Sequence, residues 1–208
     1  MGIFKCRKGS EDIVIATEAF EREFTEYLLT KRPKVFLDVG ANIGRYTISM
    51  AKRSGVVVAF DCDPDNFAAL QENIKLNGNS NIIAIERGCW FEETTLPMNV
   101  APVENKAASS LKFGGCGREV QVRCSTIDSV LKEHGIKSVD LVKMDIEGAE
   151  KEAILGMKET IANSPNIEIL FEGFNRQYLT GIADALKQVG IAQEPVKIAE
   201  SLYKVVKC

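Results

Sequence analysis

Three short segments of this 208-residue chain hold most of the residues able to do chemistry. The first, Asp38-Val-Gly-Ala-Asn-Ile-Gly44, lies between an apolar run at Val35–Val39 and a stretch of helical pattern. Glycine at such a point lets the chain turn sharply and approach a ligand with no Cβ in the way. N–H groups at the start of the following helix can then receive a carboxylate or a phosphate. The second segment is Asp61-Cys62, directly after another apolar run and 21 residues beyond Gly40. A carboxylate there can accept hydrogen bonds from both hydroxyls of a ribose; the alternative is a solvated acid at a strand end. The third, Val142-Lys-Met-Asp-Ile-Glu-Gly-Ala-Glu150, puts Lys143, Asp145 and Glu147 in or just after an apolar run. A buried parallel strand expects apolar residues, and buried charges need partners. Lys143 and a carboxylate therefore form either a structural ion pair or part of a site.

Spacing selects among ligands. A dinucleotide turn reads G-x-G-x-x-G, whereas here Ala41 and Asn42 fall inside a G-x-x-x-G pattern. That departure argues against a pyrophosphate and for the methionine portion of S-adenosylmethionine. Asp38 fits the same ligand, because it can face an ammonium and would repel a pyrophosphate. Glycines alone would also suit a bare turn. With Asp38, Gly40, Ala41, Asn42 and Gly44 around the amino-acid end and Asp61 on the ribose, adenine would lie between Cys62 and Gly88-Cys89. Trp90 reads equally as core or as cofactor wall.

The elements that must position these residues follow from periodicity. Apolar runs alternate with helical patterns, which predicts an α/β fold around a parallel sheet. Expected strands are Val35–Val39, Val56–Phe60, Asn81–Ile85, Val139–Asp145 and Asn166–Phe171; the expected helices are 42–52, 63–77, 148–157 and 176–189. Asp63-Pro64 suits a helix start, with Asp as cap and Pro at the first helical position. Ser125 or Thr126 caps a further helix that closes at Gly135, with His134 on its last turn. Residues 1–34 are expected as a helical extension of a single domain, 1–208, with Phe20, Phe24, Tyr27 and Leu28 on one face; the alternative is a lid over the substrate. Residues 88–126 break the rhythm: short strands are expected at 94–96, 111–113 and 120–124, with a turn at the glycine cluster 114–117. Two short strands near 196–199 and 203–206 should form an antiparallel pair at the sheet edge.

Composition bounds the partners. The chain is 45% hydrophobic and 26% charged, with net charge −3, which weighs against a nucleic-acid backbone as partner. No apolar run reaches the ~18 residues that span a bilayer, and the start lacks a signal-like apolar core, so a cytoplasmic protein is expected. Six scattered cysteines and one histidine offer no zinc-ligand spacing. Reduced, packed thiols are the expectation, with a Cys116–Cys124 disulfide left open. Three acids near one crevice leave an oxygen-ligand metal site open.

Taken together, these residues resemble the FkbM family of methyltransferases. The resemblance rests on Asp38–Gly44, Phe60-Asp-Cys-Asp-Pro64 with Leu70, Asn73 and Asn77, Thr126-Ile-Asp128, and Lys143–Glu150. It runs from about residue 35 to residue 172. Family members commonly carry Glu-Pro where this chain has Asp61-Cys62; the swap keeps the carboxylate. The resemblance implies a class I, Rossmann-like, doubly wound sheet of seven strands, one of them antiparallel, here with a small β-rich insertion. It also implies methyl transfer to an oxygen, typically on a sugar or other small metabolite.

An activated sulfonium methyl leaves the protein to align the acceptor and take up its proton. Asp145, Glu147 and Glu172, at strand ends, are the candidates for that work. Rivals are a methyltransferase acting on RNA or protein, a nicotinamide dehydrogenase, and a binding domain without catalysis. Against an amino-directed enzyme, Asp145-Ile-Glu-Gly148 stands where an Asn/Asp-Pro-Pro-Tyr motif would be expected.

Overall fold

The computed structural model describes residues 2–114, 117–199 and 201–207. Strands β1 (Val35–Val39), β2 (Val56–Phe60) and β3 (Ile82–Ile85) form one half of a sheet. Its other half is β7 (Leu141–Met144), β8 (Glu168–Glu172), β9 (Val196–Lys197) and β10 (Leu202–Val206). The order is β3-β2-β1-β7-β8-β10-β9. Pairings from β3 to β8 are parallel, and β10 alone runs against its neighbours. Strand order reverses between β1 and β7, where open α/β sheets leave a crevice above the strand ends.

Both faces of the central strands are covered, which is why their sequences are nearly continuous apolar runs. Leu37, Val39, Val142, Met144 and Phe171 belong to one buried cluster with Ile154, Ile182 and Leu186. Phe36, Val57, Leu141 and Leu170 point the other way, onto Phe24, Leu28, Tyr46 and Met50. These last come from α2 (Arg22–Leu29) and α3 (Arg45–Ala51). Phe24 and Leu28 share the inner side of α2; Phe20 lies before it, and a separate short helix, α1 (Asp12–Ile15), precedes both.

Local chemistry explains most boundaries. Asp63 accepts from the N–H groups of Asp65 and Asn66 to cap α4 (Pro64–Asn77), and Gly78 ends it at φ 64°. Thr126 caps α5 (Ile127–Glu133), with His134 as its C-cap. The helix expected from 42 starts only at Arg45, because Asn42 and Gly44 hold left-handed φ values of 50° and 89°. The helix expected at 148–157 is α6 (Glu150–Leu155), and a further short helix that was not expected, α7 (Lys158–Ala162), follows it. Asp128 holds the junction between the two. Its N–H donates to the Gly156 carbonyl, and its carboxylate caps α7 through the N–H groups of Glu159 and Thr160. Asn175 caps α8 (Arg176–Gln188).

The 88–126 region forms a second, three-stranded sheet. Strand β6 (Arg118–Ser125) pairs antiparallel with β5 (Thr94–Val100) and parallel with β4 (Gly88–Cys89). The strand expected at 111–113 is absent; the chain there makes a bend, preceded by one bridge between Asn99 and Ser110. Part of the expected turn at 114–117 lies outside the described residues, as does Cys116 of the open disulfide; Cys6, Cys62, Cys89 and Cys124 are free thiols. Trp90 packs with the apolar cluster of this small sheet. Among the described residues, no helix is long and apolar enough to cross a membrane.

Candidate functional site

A cavity opens above the carboxyl ends of β1, β2, β7 and β8. Gly40, Ala41 and Asn42 form one wall, Asp61, Cys62, Gly88 and Cys89 a second, and Asp145, Glu147 and Glu172 a third. The two remaining expected residues, Asp38 and Gly44, are not on the wall. Asp38 is fully buried one layer below, and accepts from the Thr47 hydroxyl at 2.5 Å. Gly44 faces helix α4: a Cβ there would come within 2.7 Å of Leu70 Cδ1. Gly40 is tight for a similar reason. At φ 80° its added Cβ would overlap the Asp145 carbonyl oxygen, so the glycine serves close approach of two protein segments rather than of a ligand alone.

Register explains why charges share this floor. Asp38 on β1 is paired with Lys143 on β7, so their side chains leave the same face. Lys143 Nζ sits 3.6 Å from Asp38 and 3.5 Å from Asp145, and donates to the Gly40 carbonyl at 2.7 Å. Burial works to lower the Lys143 pKa, but Asp145 and Asp38 outweigh it and hold it at about 12. The ion-pair reading of Lys143 is therefore realised, inside the site and not apart from it.

Asp61 accepts from the N–H of Asn42 at 2.7 Å and of Asp63 at 3.0 Å. Burial pushes its carboxyl up to about 7 despite these bonds. Glu147 lies at φ 52° and is pushed up to about 7, first by burial and then by Asp145 and Glu172. The loop carrying it is pinned by Glu150, whose carboxylate accepts from Ile146 N at 2.9 Å and Gly148 N at 3.0 Å and also meets the Tyr178 hydroxyl. Burial raises Glu150 to about 8.

Two segments roof the cavity. From the insertion, buried Lys106 bridges Asp63 and Asp65 at 3.2 and 2.7 Å, and the Ser109 hydroxyl donates to Asp63 at 2.7 Å. From the N-terminal stretch come Ile15, Phe20 and Glu21. Arg45 holds that stretch by donating to the carbonyls of Ile15, Thr17 and Phe20. Sequence reasoning did not single out Glu21, Arg45, Tyr46 or Ser109, since nothing local marks them. Glu150 did stand in the third motif, and its spacing to Ile146 is the signal that was available. Among the described residues no group of three or more metal-ligating side chains is arranged around one point.

Three non-glycine residues at positive φ are found among the described residues: Glu21, Asn42 and Glu147. All three line this cavity. Backbone strain of this kind collects at functional sites, held there by surrounding structure.

Comparison with known proteins agrees with the geometry. The model of the methyltransferase FkbM domain matches residues 38–190. "Methyltransferase sdnD" of Sordaria araneosa is 27% identical over 156 residues, covering 59% of this chain and 60% of its own length. "2-O-methyltransferase NoeI" of Sinorhizobium fredii (strain NBRC 101917 / NGR234) is 26% identical over 156 residues, covering 66% and 63%. The chain thus spans roughly 60% of the length of these curated relatives. The crystal structure of magnesium protoporphyrin IX methyltransferase (ChlM) from Synechocystis PCC 6803 with bound SAM superposes with a TM-score of 0.53 at 12% identity. It covers 100% of this chain and 87% of that one, a likeness of fold. The chain belongs to the FkbM methyltransferase family.

Proposed function

We propose that this protein is an S-adenosylmethionine-dependent methyltransferase acting on a hydroxyl oxygen of a sugar or other small metabolite. The observation that carries this reading is the convergence of strained Asn42 and Glu147 with Asp61 and Asp145 on one cavity at the strand-order switch. The family supports methyl transfer, and a relative named as a 2-O-methyltransferase supports oxygen as the acceptor atom.

The residues suit the cofactor. Asn42 Oδ1 is buried without a hydrogen-bond partner, an acceptor left for a ligand ammonium. The Gly40–Asn42 backbone would hold the amino-acid end, Asp61 the ribose hydroxyls, and Gly88 and Cys89 the base. When bound, the cofactor supplies a methyl group already activated by a positively charged sulfur. Asp145, steadied by Lys143, orients the acceptor hydroxyl. Glu147, with its carboxyl near neutrality, accepts the proton. Glu172, fixed by the Ser201 hydroxyl at 2.6 Å, closes the same wall.

A methyl-transfer assay against sugars, small metabolites, proteins and RNA, followed by kinetics on the accepted substrate, tests this. Asp145→Asn and Glu147→Gln should each lower kcat by about 100-fold, with S-adenosylhomocysteine affinity kept within about threefold. Wild-type turnover in both variants would remove the assignment, and a folded protein that binds no S-adenosylhomocysteine would remove the cofactor.

A further inference from the structure

A second cavity adjoins the first and shares with it Glu21, Lys143, Asp145 and Glu172. We propose that this second cavity seats the acceptor, and that Glu21 makes it selective for an uncharged or cationic polyol over an anionic one. This rests on the methyltransferase reading above and extends it to the substrate's charge.

The shared residues place the junction of the two cavities among Glu21, Lys143, Asp145 and Glu172, where a transferred group would have to pass. The walls of the second cavity carry four carboxylates, from Glu21, Glu23, Asp145 and Glu172. Of its two cations, Lys143 is buried and engaged by Gly40, Asp38 and Asp145, while Arg22 lies exposed at the rim and pairs with Glu26 at 2.8 Å, so carboxylates outnumber cations on these walls. An anionic acceptor would meet uncompensated like charge, whereas hydroxyls and ammonium groups would find acceptors. Half-buried Leu202 supplies an apolar contact for the C–H face of a ring.

Glu21 lies outside the stretch that matches the family, 38–190. It is nonetheless fixed with care. Its backbone takes φ 42°, a left-handed value that an L residue adopts only where surrounding structure holds it. Tyr46 donates to its carboxylate at 2.5 Å, and Arg45 binds the Phe20 carbonyl and the Thr25 hydroxyl on either side of it. A segment added only to cover apolar surface has no need to aim a carboxylate at the meeting of two cavities.

The test uses the intact chain saturated with S-adenosylhomocysteine and three probes: methyl α-glucopyranoside, glucosamine and glucuronate. Binding is read by saturation-transfer NMR. The first two should bind, and glucuronate should bind about tenfold more weakly. Glu21→Gln should narrow that gap by about threefold while leaving S-adenosylhomocysteine affinity within about twofold; a merely structural role would not change charge selectivity. Ala199→Trp, which fills the second cavity from its far side, should abolish probe binding and keep the cofactor product bound. Glucuronate binding as tightly as the neutral probe overturns the proposal. So does an unchanged gap in Glu21→Gln, binding that survives Ala199→Trp, or no binding of any probe at about 100 mM. Failure of the wild-type chain to bind S-adenosylhomocysteine would count against the cofactor reading instead.

Discussion

Lys143 Nζ donates to the Gly40 carbonyl at 2.7 Å, joining two motifs that stand 103 residues apart in the chain. The same ammonium neutralises Asp38 beneath the cavity floor, and both groups are almost completely buried.

Removing it should therefore leave a buried charge uncompensated. Lys143→Met is expected to cost about 3–5 kcal/mol in urea unfolding. Adding Asp38→Asn should recover at least about half of that loss. If the double variant were no more stable than the single one, the ion pair would not be the cause.

Gly40 and Gly78 separate two effects that glycine can have. Both lie at positive φ, but a Cβ on Gly78 meets open space while one on Gly40 overlaps the Asp145 carbonyl. Gly78→Ala should cost on the order of 1 kcal/mol from backbone strain alone. Gly40→Ala should cost about 3 kcal/mol or more and also displace the Asp145 loop. Equal losses in thermal unfolding would contradict the close-approach argument.

Asp61→Asn should weaken S-adenosylhomocysteine by about 10- to 100-fold in calorimetry, the worth of charge-assisted hydrogen bonds to a ribose. The amide also turns an N–H group toward one of the two backbone donors that Asp61 now accepts, so a modest fall in stability accompanies it. Unchanged affinity would move the ribose elsewhere.

Without ligand, the fold should lose stability as pH rises. Asp61 and Glu150 both have carboxyls pushed up by burial, to about 7 and about 8. Between the ordinary carboxylate range and those values the folded state holds protons that the unfolded state has released. The contribution of these two groups is thus fully present below about pH 4 and is lost as the pH rises through about 8, each group costing at most about 1.4 kcal/mol per pH unit. Thermal melts from pH 5.5 to 8.5 read this out, and Glu150→Gln should flatten the upper part of the slope. A melting temperature that climbs across this range would refute the sign.

Much of the fold was legible because its signals are local. Val56–Phe60 is apolar on both faces and Val35–Val39 is so but for Asp38; Asp63-Pro64 carries its own cap, and the switch from strand to helix at Gly40 is written in glycine spacing. Boundaries failed where side-chain hydrogen bonds intervened. The helix expected at 148–157 stops at Leu155, and α7 starts beyond it where Asp128, on another helix, caps it through Glu159 and Thr160. The strand expected at 111–113 became a bend, because the Ser110 hydroxyl accepts from the N–H groups of Lys112 and Phe113 and turns the chain there.

The candidate site divides the same way. Residue type and spacing alone determined that a glycine turn, an acid after the second strand and an acidic segment after a later one belong together, and those segments do meet at one cavity. Which of their side chains face that cavity was decided by strand register and helix packing. Pairing of Asp38 with Lys143 sends that acid below the floor, and contact with Leu70 assigns Gly44 to packing. Glu21 reaches the site only because Arg45 gathers the backbone before it. The physical reason is range. Backbone turns and caps act over a few residues and leave a mark in the sequence, whereas burial, pairing and the aim of a carboxylate depend on groups brought together from far along the chain.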